Sequence, residues 1–201
     1  MVRRQEFFNK NAETWDKRFL TTELSAFLEE FVPSFGIMAG QKILDVGAGT
    51  GILIPFLLRA VGSTGHITAV DFAEKMVKKC QAKFGHLPNV EVAVQDVEKL
   101  DFAKDSFDVV VCFGVFPHIE NKKEALRQII RVLKPAGKLI IAHALSSAEI
   151  EAHHNKTSSV VTHDVLPNKA AMKSLLTETG FAGVRIVDKP GCYLCTSTKP
   201  N

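Results

Sequence analysis

Lys42–Gly51 reads KILDVGAGTG, a run of strand-forming apolar residues that meets Gly47, Gly49 and Gly51 within five positions. A plain turn needs one glycine or two. Three suggest a ligand close to a main chain without side chains, and a glycine-rich turn feeding a helix also aims unpaired amides at anything anionic. Pro55 sets the start of that helix, because a proline beyond the first turn loses a hydrogen bond and clashes. The helix therefore begins no earlier than about Gly51 or Ile52. The third glycine comes one residue too early for the dinucleotide fingerprint G-x-G-x-x-G, whose last position is here Ile52. The turn is wider than a compact pyrophosphate-binding turn.

Outward from this stretch the chain alternates strands and helices. GHITAVD, NVEVAVQD, FDVVVCFGVF and GKLIIAHAL read as further strands. Helices run through LLRAV, AEKMVKKCQAKF and NKKEALRQIIRVL, the last ending before Pro135. Near-continuous apolar runs between amphipathic helices indicate a parallel sheet covered on both faces. GVRIVDKPGCYLCTST differs, with two extended runs around Lys189-Pro190-Gly191, and reads as an antiparallel hairpin closing the sheet edge. The expected fold is α/β: a Rossmann-like, doubly wound, mostly parallel seven-stranded sheet with an antiparallel C-terminal hairpin and helices on both faces. One domain over 1–201 is expected. It comprises an N-terminal helical segment (1–36, helical from residue 3 to 31), a core (41–145), a substrate-side insertion (146–167) and a C-terminal helix and hairpin (168–201).

Bulk properties narrow the function. A chain of 201 residues, 46% hydrophobic and 23% charged, buries a full core without disulfides or metal. Cys80, Cys112, Cys192 and Cys195 have no zinc-finger spacing and read as reduced thiols of a cytoplasmic protein. Cys192 and Cys195 form a CxxC, but on a strand positions three apart point to opposite faces. The net charge of +3 is dispersed and forms no nucleic-acid stripe. No apolar run approaches the roughly 20 residues of a membrane span. Neither a nucleic-acid partner nor a membrane is expected.

The residues resemble a known family. DVGAGTG is similar to the first motif of class I S-adenosylmethionine-dependent methyltransferases, an acid followed by G-x-G-x-G. AVD, VQDVEKL, FDVVVCFGVFPHI and RVLKPAGKLIIA resemble the second- to fifth-strand signatures, in order. The resemblance covers residues 41–145 and extends more loosely to FFNKNAETWD, which looks like the N-terminal helical segment of the small-molecule and quinone-type members. It implies S-adenosylmethionine as cofactor. Asp71 would hold both ribose hydroxyls, Phe72 and Met76 would flank the adenine, and Asp96 and the Val97 backbone would take its amino group and a ring nitrogen. Gly47, Ala48, Gly49 and Gly51 would cradle the cofactor.

Side-chain chemistry is consistent with these roles. A strand-end carboxylate at Asp71 accepts two hydroxyl hydrogen bonds, and equally caps the helix through FAEKM. Asp96 likewise caps a short helix starting at Val97. Asp45 is expected to support the loop by accepting amide hydrogen bonds, or to face the cofactor's ammonium end. Phe72 and Met76, four apart on a helix, share a face that serves adenine or core. Trp15 closes over the cofactor or belongs to the core, and Cys112 is expected to line the site as a small side chain.

The acceptor is expected near the end of the fourth strand, around Cys112 to His118. His118 is the candidate general base, needed only if the acceptor must lose a proton. Phe7, Phe8, Phe113 and Phe116 favour an acceptor with apolar surface. In EAHHNKTSSVVTHDV, His153, His154, His163 and Asp164 offer metal ligands, but at a spacing that matches no compact site. The stretch from Ser146 to Pro167 has no clear period and reads instead as a lid-like insertion or a variable helix plus loop, solvated or facing the substrate. The leading expectation is methyl transfer by in-line displacement to a small, partly apolar acceptor. The alternatives are a nicotinamide-dependent oxidoreductase, disfavoured by Ile52, and a binding module that keeps the cofactor fold without catalysis.

Overall fold

The computed structural model describes residues 2–156 and 160–201. Seven strands form one sheet in the order β3-β2-β1-β4-β5-β7-β6. They are β1 (Lys42–Val46), β2 (His66–Asp71), β3 (Val90–Val94), β4 (Phe107–Phe113), β5 (Leu133–His143), β6 (Ala182–Lys189) and β7 (Cys192–Thr198). The first five are parallel, and β7 runs antiparallel to both β5 and β6. The strand order reverses between β1 and β4, the switch point at which open α/β sheets bind ligands.

Alternating side chains divide the interior into two cores. Ile43, Val109, Val111 and Ile140 face α3 (Thr22–Phe31), α4 (Ile54–Val61) and α5 (Glu74–Phe84). Leu44, Val110, Leu139 and Ile141 face α6 (Lys122–Val132), α7 (Ser147–Asn155) and α8 (Lys169–Glu178). Both faces of the central strands are dry, which is why they read as unbroken apolar runs. Cys195 packs into the second core and Cys192 against the first, so β7 puts the two thiols on opposite faces, and both are free.

Two expectations shift, and one open alternative resolves to a helix with a loop. The helix read over residues 3–31 is three helices, α1 (Val2–Asn11), α2 (Trp15–Phe19) and α3, with a 3-10 turn over Ala12–Thr14. Thr21 restarts the chain as an N-cap, its hydroxyl accepting from the Leu24 N–H at 3.2 Å. β5 begins at Leu133, ahead of Pro135, because Leu133 pairs with Phe107 across a register slip in β4. The aperiodic segment contains α7, whose Ser146 and Glu149 form a reciprocal capping box. Residues 157–159 of that segment lie outside the described residues.

Candidate active site

A cavity of about 510 Å³ opens where β1, β2 and β4 end. One half is bounded by Asp45, Gly47, Gly49, Asp71, Met76 and Asp96, the other by Phe7, Phe8, Pro117, His118, His143 and His154. Ala48, Phe72, Val97 and Trp15 line the first half as well, so the cofactor candidates converge, apart from Gly51 and Cys112.

The three glycines serve different ends, although all have positive φ. A Cβ on Gly47 would lie 2.2 Å from the Val115 side chain, and one on Gly51 2.7 Å from Phe84 and 2.9 Å from the Cys80 sulfur. Only at Gly49 is the nearest atom, Trp15 Nε1, as far as 3.8 Å. Protein packing demands two of the glycines, and Gly49 alone leaves room for a ligand. Gly51 is therefore a packing glycine rather than a wall of the cavity. Gly51→Ala is expected to destabilise the protein by about 2–4 kcal/mol, read as a lowered Tm. Gly49→Ala should cost about 1–2 kcal/mol of stability for its backbone alone, and should weaken cofactor binding by calorimetry.

Asp71 performs the loop support expected of Asp45. Its Oδ2 accepts from the Gly49 N–H at 2.9 Å and its Oδ1 from the Ala73 N–H at 2.8 Å. Each oxygen keeps a further lone pair. Burial pushes its carboxyl up to about 6, against the opposing pull of these amide hydrogen bonds. Asp45 is buried with its Oδ2 unpartnered. Burial, and then the charge of Asp71, push it up to about 8. An unpaired buried carboxylate costs stability unless a cation meets it. Asp96 Oδ1 accepts from the Glu98 N–H at 2.9 Å, so the capping role is real, with Oδ2 left for a ligand.

Phe72 precedes α5 rather than lying on it, because Ala73 is the N-cap. It still meets Met76 in a small cluster with Phe8 and Trp15. Cys112 does not reach the cavity wall. Fully buried in the core on the α6 side, its thiol is pushed well above its ordinary value by burial and then by Asp45.

The N-terminal helices roof the cavity and are clipped at both ends. Thr50 of the glycine turn donates to Asp16, which also pairs with Lys83 at 2.9 Å. Gln5 Nε2 donates to the Phe72 carbonyl at 2.7 Å, and Asn9 Oδ1 accepts from the Lys75 N–H at 2.9 Å. Arg4 reaches Asp164 with two nitrogens, at 2.6 and 3.2 Å.

Asp164 also faces His118, whose Nδ1 lies 2.8 Å from Asp164 Oδ2. Burial opposes ionisation of Asp164, yet the hydrogen bonds from His118 and Arg4 hold its carboxyl at about 2. An ionised carboxylate only accepts, so His118 Nδ1 carries a proton and donates it to Asp164, which leaves Nε2 as the ring nitrogen free of that bond. The 3-10 turn holding His118 is clamped by Lys122, whose Nζ donates to the carbonyls of Pro117 and Ile119 at 3.1 and 2.9 Å. His154 Nδ1 bonds the Asp164 carbonyl. Asp164 and His154 are thus engaged by protein partners, His153 and His163 are exposed, and no group of three or more candidate metal ligands occurs among the described residues.

Sequence reasoning placed His118 but missed its partner. Asp164 lies 46 residues away and was considered only as a metal ligand. Arg4, Asp16, Thr50, Lys122 and His143 carried no local signal either.

A family profile described as "Methyltransferase domain" matches residues 37–183. The ubiquinone/menaquinone biosynthesis C-methyltransferase UbiE of Pseudomonas fluorescens (strain Pf0-1) is 31% identical over 172 residues, covering 73% of this chain and 67% of that protein. The same-named protein of Pseudomonas putida is 30% identical over 175 residues, with the same shares covered. Among solved structures, a SAM-dependent methyltransferase from Aquifex aeolicus superposes with a TM-score of 0.71 at 24% identity, over 85% of this chain and 88% of that one. A putative S-adenosyl-L-methionine-dependent methyltransferase from Methanococcus maripaludis gives 0.75 at 22%, over 96% and 94%. The chain belongs to the class I S-adenosylmethionine-dependent methyltransferases. It transfers a methyl group from that cofactor to a small molecule. Its own residues fit the cofactor: the unpartnered Asp45 Oδ2 suits an ammonium group, and the open face of Gly49 admits a ligand to the main chain.

Proposed function

We propose that the chain methylates a ring carbon of a phenolic, quinol-like acceptor, with His118 as general base. The observation that carries this reading is the His118–Asp164 pair at 2.8 Å in a cavity half where Phe7, Phe8, Val115 and Ile119 supply apolar wall beside His143 and His154. The names of the Pseudomonas relatives support a quinone-type acceptor.

On this reading Asp45 takes the cofactor's ammonium and Asp71 its ribose hydroxyls. Asp96 Oδ2 and the Val97 N–H read the adenine edge, Phe72 and Met76 flank the ring, and Trp15 covers it. Gly49 gives the main chain its close approach, with Gly47 and Ala48 beside it in the cavity wall. When bound, S-adenosylmethionine supplies an electrophilic methyl group and leaves as a neutral thioether. His118 Nε2 removes the acceptor's hydroxyl proton, and the electron pair delocalised onto the ring forms the carbon–methyl bond. The ring carbon then releases its own proton to solvent, and His118 returns the first proton to the oxygen. Asp164 stabilises the imidazolium in between. The roof of α1 and α2 excludes water and positions the reactants, an effect worth roughly 7–11 kcal/mol in favourable cases.

The whole chain acts as one methyltransferase domain, with residues 146–156 and 160–167 on the acceptor side. Its four free thiols fit a reducing cytoplasm. The test is a panel of hydroxylated aromatic rings, aliphatic amines and carboxylic acids, followed by S-adenosylhomocysteine release. Ring-methylated phenols are the expected product. Methylation confined to amines or carboxylates would overturn the reading.

A further inference from the structure

His143, the last residue of β5, is 7% exposed and lines the acceptor half of the cavity, yet its Nε2 has no hydrogen-bond partner. A buried polar atom left unpaired in the protein alone points to a partner supplied by a ligand. Tyr193 lies edge-on to the ring, with centroids 6.2 Å apart.

We propose that His143 is a specificity residue whose imidazole recognises a second oxygen of the acceptor, beside the hydroxyl that His118 deprotonates. The proposal rests on that reading of His118. Burial, and then the nearby His118 and His154, push His143 down to about 3, so its imidazole is neutral at working pH. A neutral imidazole donates to or accepts from a hydroxyl or carbonyl, and provides no charge for a carboxylate or phosphate. Arg4, which lines the same half, is already paired with Asp164 and Glu120. The pocket therefore selects a ring with two uncharged oxygens over one with a single hydroxyl.

The test compares 1,4-dihydroxynaphthalene with 1-hydroxynaphthalene, under nitrogen, in the presence of saturating S-adenosylhomocysteine. Binding is read from the fluorescence of Trp15, the chain's single tryptophan, which lines the cavity. The native protein should bind the diol roughly 10- to 100-fold more tightly, because a site built to bond an oxygen rejects the analogue lacking it. His143→Leu should abolish the preference by weakening the diol alone, and His143→Gln, which keeps a polar atom, should retain part of it. His118→Ala should lose methylation of both rings and keep the binding preference. No preference in the native protein, or the same preference in His143→Leu, overturns the assignment. Undiminished turnover in His118→Ala would instead remove the general-base reading and leave the binding result for His143 intact.

Discussion

His118→Ala is expected to lower kcat by about 10²–10⁴-fold, the range of a lost general base, while affinity for S-adenosylhomocysteine stays within about twofold. The split follows from the layout: His118 stands in the acceptor half, and Asp45, Asp71 and Asp96 bound the other. Added imidazole should restore part of the activity, because the substitution leaves a ring-sized space beside Asp164. Asp164→Asn should cost about 10²–10³-fold by releasing the tautomer that presents Nε2. Arg4 shares the Asp164 carboxylate, so it helps keep that group ionised and also fastens α1 over the cavity. If His118→Ala retained full kcat, the acceptor would need no base from this residue.

Asp45→Asn should have opposite effects on binding and stability. An ammonium paired with a buried carboxylate is worth enough that its loss should weaken cofactor binding by about 100-fold or more. In the ligand-free protein the same carboxyl is held at about 8, above its unfolded value near 4. The folded state thus binds the proton more tightly. The resulting stability is present below about pH 4 and is lost as pH rises from there toward 8. Asparagine avoids the buried charge, so the ligand-free variant should melt roughly 3–10 °C higher than the native protein at pH 8. Native affinity for the cofactor should rise up to about tenfold per pH unit between about 6 and 8, then level off, whereas the variant should show little of this dependence. Differential scanning calorimetry and binding titrations across pH measure both. A variant that bound normally would show that the Asp45 carboxylate does not meet the ammonium.

The parts of the molecule legible in the sequence are those set by local periodicity and turn chemistry. β1, β2, β4 and β5 announce themselves as apolar runs because both faces of those strands are largely dry, and the Lys189-Pro190-Gly191 turn marks the hairpin. Thr21 was legible in principle as a cap, but the continuing apolar pattern from Phe19 to Leu24 concealed the break. The glycine turn invited one explanation and has two, because Phe84, Cys80 and Val115 approach it from distant positions. Asp71 takes the loop support expected of Asp45 for a similar reason: which carboxylate reaches the Gly49 amide depends on how β1 and β2 lie side by side. The His118–Asp164–Arg4 constellation joins α1, the turn after β4 and the segment after α7. No spacing rule connects three such elements, so only the folded chain brings them together.

The most direct test of the cofactor site is calorimetric titration of S-adenosylhomocysteine into folded protein near pH 7, repeated in buffers of low and high ionisation enthalpy. The amino-acid end of that ligand carries the ammonium that Asp45 is held to meet. Saturable heat at one site per chain is expected, with an apparent enthalpy that differs between buffers because Asp45 gives up its proton. Heat that is the same in both buffers would contradict the role of Asp45, and no heat at all would contradict the cofactor cradle.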